Sequence, residues 1–163
     1  MLNTAVALII FNRPDTTERV FAEILNGQQS KLFVIADGPR PDRPGEAEKC
    51  AAARAVIDRV DWECEVLKNY SDVNLGSGRR PATGISWVFE QVEEAIVLED
   101  DSLPQPSFFR FCQELLEKYR DDERVAMIDG NKFQFGQKRT SYSYYFSYWQ
   151  GGPGRAIWRR AWR

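Results

Sequence analysis

The sequence predicts an α/β protein with a mostly parallel sheet and helices on both faces. Short apolar runs that suit buried strands alternate four or five times with stretches whose apolar residues recur at helical spacing. Four of the short runs end in polar residues, and ligands bind at the carboxyl edge of such sheets. At 163 residues the chain suits one domain with its own core, so we expect a single domain over 1–163.

The first half of the chain contains three predicted strands and two predicted helices. The strands are expected at 4–11, 32–36 and 63–67, where apolar and β-branched residues cluster. A helix begins near Asp15, where Glu18 three residues later forms a capping-box pattern. A second helix is expected at 46–60, after a loop rich in proline and glycine.

The second half begins with a glycine-rich, basic turn at 74–81. A helix with apolar residues at 85, 88, 89 and 92 follows it, and the strand expected at the centre of the sheet, 95–98, comes next. Helical spacing returns at 108–119, and a short strand is expected at 125–128. Trp158 and Trp162 stand four residues apart, which predicts a helix over 156–163.

Three consecutive carboxylates, Glu99, Asp100 and Asp101, directly follow the strand at 95–98. Adjacent acids repel one another unless they are solvated or neutralised by a cation. Their place at a strand end predicts a divalent-metal site, with Mn²⁺ or Mg²⁺ as the ion. The structural alternative is a solvated loop, or favourable negative charge at a helix N-terminus.

Composition excludes several functional classes. The formal net charge of −2 gives no general attraction to nucleic acid, and no apolar stretch has the length of a membrane span. The sequence contains no histidine, so these residues cannot supply Ser-His or Cys-His nucleophilic catalysis or histidine-ligated zinc. Cys50, Cys64 and Cys112 lack metal-ligand spacing, which is typical of a reduced cytoplasmic protein.

Polar groups follow four of the apolar runs, at Asn12-Arg13, Asp37, the acid triplet and Asp129. If the strands are parallel, these groups share one edge, which suits sugar transfer from a nucleoside diphosphate. A metal would stabilise the leaving diphosphate, and a carboxylate base would activate the acceptor hydroxyl.

Two further groups could contact a donor at this edge. Asp37 could bind a base or ribose, and Arg79 and Arg80 could reach phosphate with backbone N–H groups of the glycine-rich turn. Taken alone, Asp37 is better explained as an ordinary turn residue. The two arginines are equally explained as a solvated face.

Taken together, the motifs Phe11-Asn12-Arg13-Pro14, Ala36-Asp37-Gly38, Asn74-Leu75-Gly76 and Leu98-Glu99-Asp100-Asp101 resemble those of GT-A-type glycosyltransferases. The chain looks like a family 2-like bacterial nucleotide-sugar transferase. Its acid triplet is also similar to that of N-acetylglucosaminyltransferases acting on N-glycans. The resemblance implies a nucleotide-sugar donor and a carbohydrate or glycan-lipid acceptor.

The resemblance also implies residue roles. Asp101 is the first expected metal ligand, and Glu99 is the second. The nucleotide and its diphosphate are expected to contact the remaining matched residues: Phe11, Asn12, Arg13, Asp37, Arg80 and Asp100. The region around Trp149 matches the acceptor side, where relatives carry a different tryptophan-glycine run. The family's base lies further downstream, which leaves Asp129 as the in-chain nominee. We therefore expect a domain that lacks part of its acceptor side, and self-association through exposed apolar surface.

Two other functions remain open from the sequence. One is a non-catalytic nucleotide-binding or scaffold domain. The other is a sugar-phosphate nucleotidyltransferase, which needs a glycine-rich, basic loop after the first strand, where this chain has Asn12-Arg13-Pro14-Asp15.

Overall fold

A computed structural model describes residues 3–131, 133–138 and 140–162. Within them the chain forms a six-stranded sheet and four α-helices. The strands are β1 (Ala5–Ile10), β2 (Lys31–Ala36), β3 (Glu65–Tyr70), β4 (Glu94–Glu99), β5 (Met127–Asp129) and β6 (Arg155–Trp158). The α-helices are α1 (Pro14–Gly27), α2 (Glu46–Val56), α3 (Gly76–Phe89) and α4 (Pro106–Lys118). Short 3₁₀ turns, Ile57–Arg59 and Arg159–Ala161, follow α2 and β6.

The strand order is β3-β2-β1-β4-β6-β5. The first four strands in the chain are mutually parallel where they pair, and β6 runs antiparallel to both β4 and β5. The carboxyl ends of β1 to β5 therefore share one edge of the sheet. The mostly parallel α/β architecture predicted from the sequence is confirmed.

Helices cover both faces of the sheet. On one face, alternate strand residues such as Leu8 and Leu98 pack with α1, α2 and α4 in a single apolar cluster. On the other face, the intervening residues, such as Ala7 and Val97, pack against α3. Because both faces are covered, β1, β2 and β4 are almost continuously apolar, as their sequences indicate.

Prolines fix where two of the helices begin. Pro14 and Pro106 are the first residues of α1 and α4, a position where the missing N–H costs no hydrogen bond. Pro14 comes only four residues after the end of β1, so the connection between β1 and α1 is short and tightly set.

The helix predicted at 156–163 is wrong. Residues 155–158 form β6, and the 3₁₀ turn follows it; Arg163 lies outside the described residues. Ala156 and Trp158 face one apolar cluster and Ile157 faces the other, which is the alternation of a strand. Pairing with β4 and β5 decides the conformation of this short segment.

The glycine-rich segment at 74–81 is also more regular than predicted. Its last six residues are the first turns of α3, and Pro81 lies inside the helix. In the described part of the chain, no helix is both long and apolar enough to cross a bilayer. Cys50, Cys64 and Cys112 are free thiols.

Candidate functional site at the carboxyl ends of β1 and β4

The strand order reverses direction between β1 and β4. From β1 the chain adds β2 and β3 on one side, and then returns to place β4 on the other side of β1. In open α/β sheets the crevice at such a reversal, outside the carboxyl ends of the strands, is where ligands bind. The residues that follow β1 and β4 are therefore the first to consider as a site.

Arg13 bridges two carboxylates across this crevice. Its Nη2 lies 2.6 Å from Asp100 Oδ1, and its Nη1 lies 2.8 Å from Asp101 Oδ2. The backbone N–H of Phe11 donates to the second oxygen of Asp100 at 3.2 Å. The loop after β1 and the loop after β4 are thus joined by charged hydrogen bonds between residues that lie 87 to 89 positions apart in the sequence.

The three charged groups differ in exposure. The Asp100 side chain is 3% exposed, whereas those of Arg13 and Asp101 are 48% and 44% exposed. Burial raises the pKa of Asp100, and the positive charge of Arg13 opposes that rise. Burial lowers the pKa of Arg13, but its two carboxylate partners outweigh this and the pKa is raised overall. Asp100 is therefore the fixed, buried member, and the other two reach solvent.

Glu99 does not join this group. It is the last residue of β4 and pairs with Ile9, so strand alternation directs it to the face covered by α3. Asp100 and Asp101 are the central residues of a turn in which Ser102 N–H donates to Glu99 O at 3.0 Å. Within the described ranges, no group of three or more His, Cys, Asp or Glu side chains is placed to hold a metal. The structure thus joins two of the three carboxylates, and metal ligation by Glu99 stays a prediction.

Asn12 and Phe11 contact a second ion pair next to the crevice. Asn12 Nδ2 donates to Glu46 Oε1 at 2.9 Å, and Arg40 donates to both Glu46 oxygens from its backbone and its guanidinium. The Arg40 guanidinium also lies 5.7 Å from the centre of the Phe11 ring. Hydrogen bonds from Arg40 lower the pKa of Glu46 to about 2.

Sequence reasoning missed Arg40 and Glu46. The sequence pattern places Glu46 only at the start of a helix, and Arg40 only in the proline- and glycine-rich loop before it. The sequence signal for this ion pair was weak. Glu46 lies in the first turn of α2, where a carboxylate is explained equally well by its favourable interaction with the helix dipole.

The Asp37 carboxylate hydrogen-bonds to the N-terminus of α3. Its carboxylate accepts hydrogen bonds from the backbone N–H groups of Leu75 at 2.9 and 3.1 Å, Gly76 at 2.9 Å and Gly38 at 3.0 Å. The side chain is buried. In this conformation Asp37 ties the end of β2 to the start of α3, and its predicted contact with a base or ribose stays a prediction.

Arg80 is also engaged within the fold. It is buried in α3, and it donates to Ala36 O at 3.1 Å, to Asn69 Oδ1 at 2.8 Å and to Asn69 O. Burial lowers the pKa of Arg80, and Asp37 partly offsets this. Arg79, in contrast, is exposed. The predicted contact of Arg80 with a diphosphate stays a prediction, and it would require Arg80 to leave these carbonyl groups.

Asp129 ends β5 on the same edge, two strands away from β4, or about 10 Å. Its Oδ1 accepts hydrogen bonds from Asn131 N at 2.8 Å and Asn131 Nδ2 at 3.0 Å, and its Oδ2 accepts one from Gly151 N. Asp129 therefore holds the loop before β6 against the end of β5. Its role as a catalytic base stays a prediction.

An open groove of about 960 Å³ lies elsewhere, at the amino ends of the strands. Its described lining includes Thr4, Lys31 and Glu94 and none of the predicted site residues. The chemistry that the sequence indicates is at the opposite edge, so this groove is not part of the candidate site.

Comparison with known proteins supports the fold. No protein-family model matches the chain, and no curated protein matches it. Among solved structures, the chain is similar to 4-diphosphocytidyl-2C-methyl-D-erythritol synthase from Anaerococcus prevotii DSM 20548. The TM-score is 0.53 at 12% identity, over 98% of this chain and 73% of that chain. The two proteins share an α/β fold with a mostly parallel central sheet flanked by helices. At this level of identity the similarity concerns the fold alone.

Proposed function

We propose that this chain is a metal-dependent glycosyltransferase that moves a sugar from a nucleoside-diphosphate sugar to an acceptor hydroxyl. The observation that carries the proposal is the convergence of Asp100, Asp101 and Arg13 at the reversal point of the sheet. Both signs of charge meet there within hydrogen-bond distance. A donor that combines a cation with a diphosphate needs partners of both signs.

The donor set fits a hard divalent cation. Asp100 and Asp101 offer carboxylate oxygens, and the half-exposed Asp101 can be reached from the crevice. Mg²⁺ in nucleotide sites is commonly held by one or two carboxylates together with substrate phosphates, so a third protein carboxylate is not required. When bound with the diphosphate, such an ion neutralises the charge that grows on the leaving group.

The chain's own residues have the following proposed roles. Asp101 is the direct metal ligand, and the buried Asp100 fixes the loop that presents it through the Phe11 N–H. The Arg13 guanidinium offers two parallel donors, the arrangement that suits phosphate oxygens. Asp129 is the proposed base for the acceptor hydroxyl, which has to lose its proton as it attacks.

A calorimetric titration with uridine and guanosine diphosphate tests the proposal. We expect binding of at least one of them with Mn²⁺, loss of binding with a chelator, and loss of binding in Asp101→Ala. Asp121→Ala is the matched control, because Asp121 is an exposed aspartate in the turn after α4, at the opposite edge. Equal affinity with and without chelator, or no binding of either nucleotide, would count against the metal site.

Nucleotidyl transfer is the second candidate, and the solved neighbour favours it because that protein's name describes synthesis of a diphosphocytidyl compound. Against it, α1 begins at Pro14 directly after Arg13, which leaves no glycine-rich loop to hold a triphosphate. Pyrophosphate released from a nucleoside triphosphate would support this candidate. Nucleoside diphosphate released from a sugar nucleotide would support glycosyl transfer, and metal-dependent binding without turnover would indicate a non-catalytic domain.

A further inference from the structure

The Arg13 guanidinium bridges the two carboxylates to which the proposed function assigns a divalent cation. One guanidinium nitrogen faces Asp100 at 2.6 Å, and the other faces Asp101 at 2.8 Å. With one positive and two negative groups, the cluster keeps a single excess negative charge. While Arg13 lies between the carboxylates, it repels a second cation and so weakens the binding of that cation to both of them.

Arg13 is the member of the cluster that can move. Its backbone is fixed, because its carbonyl accepts hydrogen bonds from Thr17 N–H at 3.0 Å and Thr17 Oγ1 at 2.7 Å, and Pro14 follows it. Its side chain, however, is 48% exposed. Rotation of the side chain toward solvent would break its two hydrogen bonds to the carboxylates, and Asp100 would keep its hydrogen bond from the Phe11 N–H.

We propose, on the basis of the metal-dependent function above, that Arg13 is an internal counter-cation that makes metal binding depend on the diphosphate. Without nucleotide, Arg13 neutralises Asp100 and Asp101 and competes with the metal. With nucleotide, the guanidinium transfers its two hydrogen bonds from the carboxylates to phosphate oxygens, which its planar fork fits equally well. The carboxylates are then free for the metal, so metal and diphosphate bind cooperatively, each raising the affinity for the other by the same factor.

The test measures Mn²⁺ binding by the electron paramagnetic resonance signal of free Mn²⁺, with and without uridine or guanosine diphosphate. The variant is Arg13→Gln, which retains a side-chain amide and removes the charge. The matched control is Arg59→Gln, because Arg59 is a similarly exposed arginine that pairs with Glu18 at 2.9 Å, away from the crevice.

In the wild type we expect weak Mn²⁺ binding that tightens at least fivefold when the nucleotide is added, the low end of typical coupling between sites. Arg13→Gln should bind Mn²⁺ alone at least fivefold more tightly than the wild type, and should lose most of the nucleotide-induced gain. Arg59→Gln should behave as the wild type. Unchanged or weaker binding of Mn²⁺ alone by Arg13→Gln would overturn the proposal.

Failure of this inference and failure of the proposed function give different results. If Asp101→Ala abolishes metal-dependent nucleotide binding but Arg13→Gln leaves Mn²⁺ affinity unchanged, the proposed function stands and the role of Arg13 is refuted. If neither the wild type nor any variant binds Mn²⁺ or nucleotide, both are refuted. If Arg13→Gln does not fold, Arg13→Met replaces it: methionine keeps an unbranched side chain and removes the charge, so Mn²⁺ alone should again bind more tightly, and unchanged affinity would refute the role.

Discussion

Replacing Asp37 with alanine is expected to lower the free energy of unfolding by about 3 kcal/mol. The buried carboxylate accepts hydrogen bonds from Leu75 and Gly76 at the start of α3, and both donors come from a segment 38 and 39 residues away. A hydrogen bond to a charged group contributes roughly 1.5–3 kcal/mol, and both N–H groups are half-buried, so the low end applies to each. For a chain of this length, a loss of about 3 kcal/mol lowers Tm by roughly 6–12 °C.

Urea unfolding monitored by tryptophan fluorescence measures this loss. Asp37→Asn keeps one acceptor oxygen, so its loss should be about half that of alanine. Asp42→Ala is the control, because the Asp42 side chain is 76% exposed, and its change should stay within about 0.5 kcal/mol. A loss below about 1 kcal/mol in Asp37→Ala would refute a structural role. Combined with weaker nucleotide binding, that result would instead support the predicted contact with base or ribose.

Three further predictions address packing, pH and association. In Gly84→Ala the new Cβ would clash with Ile35 Cγ2 on β2. Because such overpacking is destabilising, the free energy of unfolding should fall by about 1–3 kcal/mol. An unchanged midpoint of urea unfolding would contradict this. Because the pKa of Glu46 is about 2 when folded, against an ordinary 4.5, stability from its contact with Arg40 is present above pH 4.5 and lost as pH falls toward 2. Glu46→Gln should therefore lose less stability than the wild type over that range, and parallel pH curves would show that the contact contributes nothing. Trp149 is 88% exposed and belongs to a stretch of exposed aromatic residues. We therefore expect the wild type to associate at high concentration, and Trp149→Ser to shift the sedimentation coefficient toward that of the monomer. A wild type that stays monomeric would refute this.

The strands and most helices were predictable because burial on both faces leaves a strong sequence signal. β1, β2 and β4 are apolar at nearly every position, and a polar residue marks the end of each one, either as its last residue or within two residues of it. The same reasoning failed for β6, which has only four residues. A run that short carries no decisive period, and its conformation depends on pairing with strands distant in sequence.

The meeting of Arg13 with two of the carboxylates was predictable from the strand ends, but the contacts of the other candidate residues were not. The rule that parallel strands end at one edge of the sheet correctly placed Arg13 near Asp100. It did not distinguish Glu99 from its two neighbours, although strand alternation directs Glu99 to the other face. Nor could it reveal that Asp37 and Arg80 hydrogen-bond to backbone groups. Those partners belong to segments whose proximity appears only once the sheet is assembled.

The central claim is that the carboxylates at the reversal of the sheet hold a cation together with a diphosphate. The most direct measurement is the anomalous diffraction of manganese in crystals grown with Mn²⁺ and a uridine or guanosine diphosphate sugar. The account predicts one peak next to Asp101 and the diphosphate, with the Arg13 guanidinium turned from the carboxylates to phosphate. A nucleotide bound elsewhere, for example in the groove at the amino ends of the strands, or a crevice without a manganese peak, would contradict it.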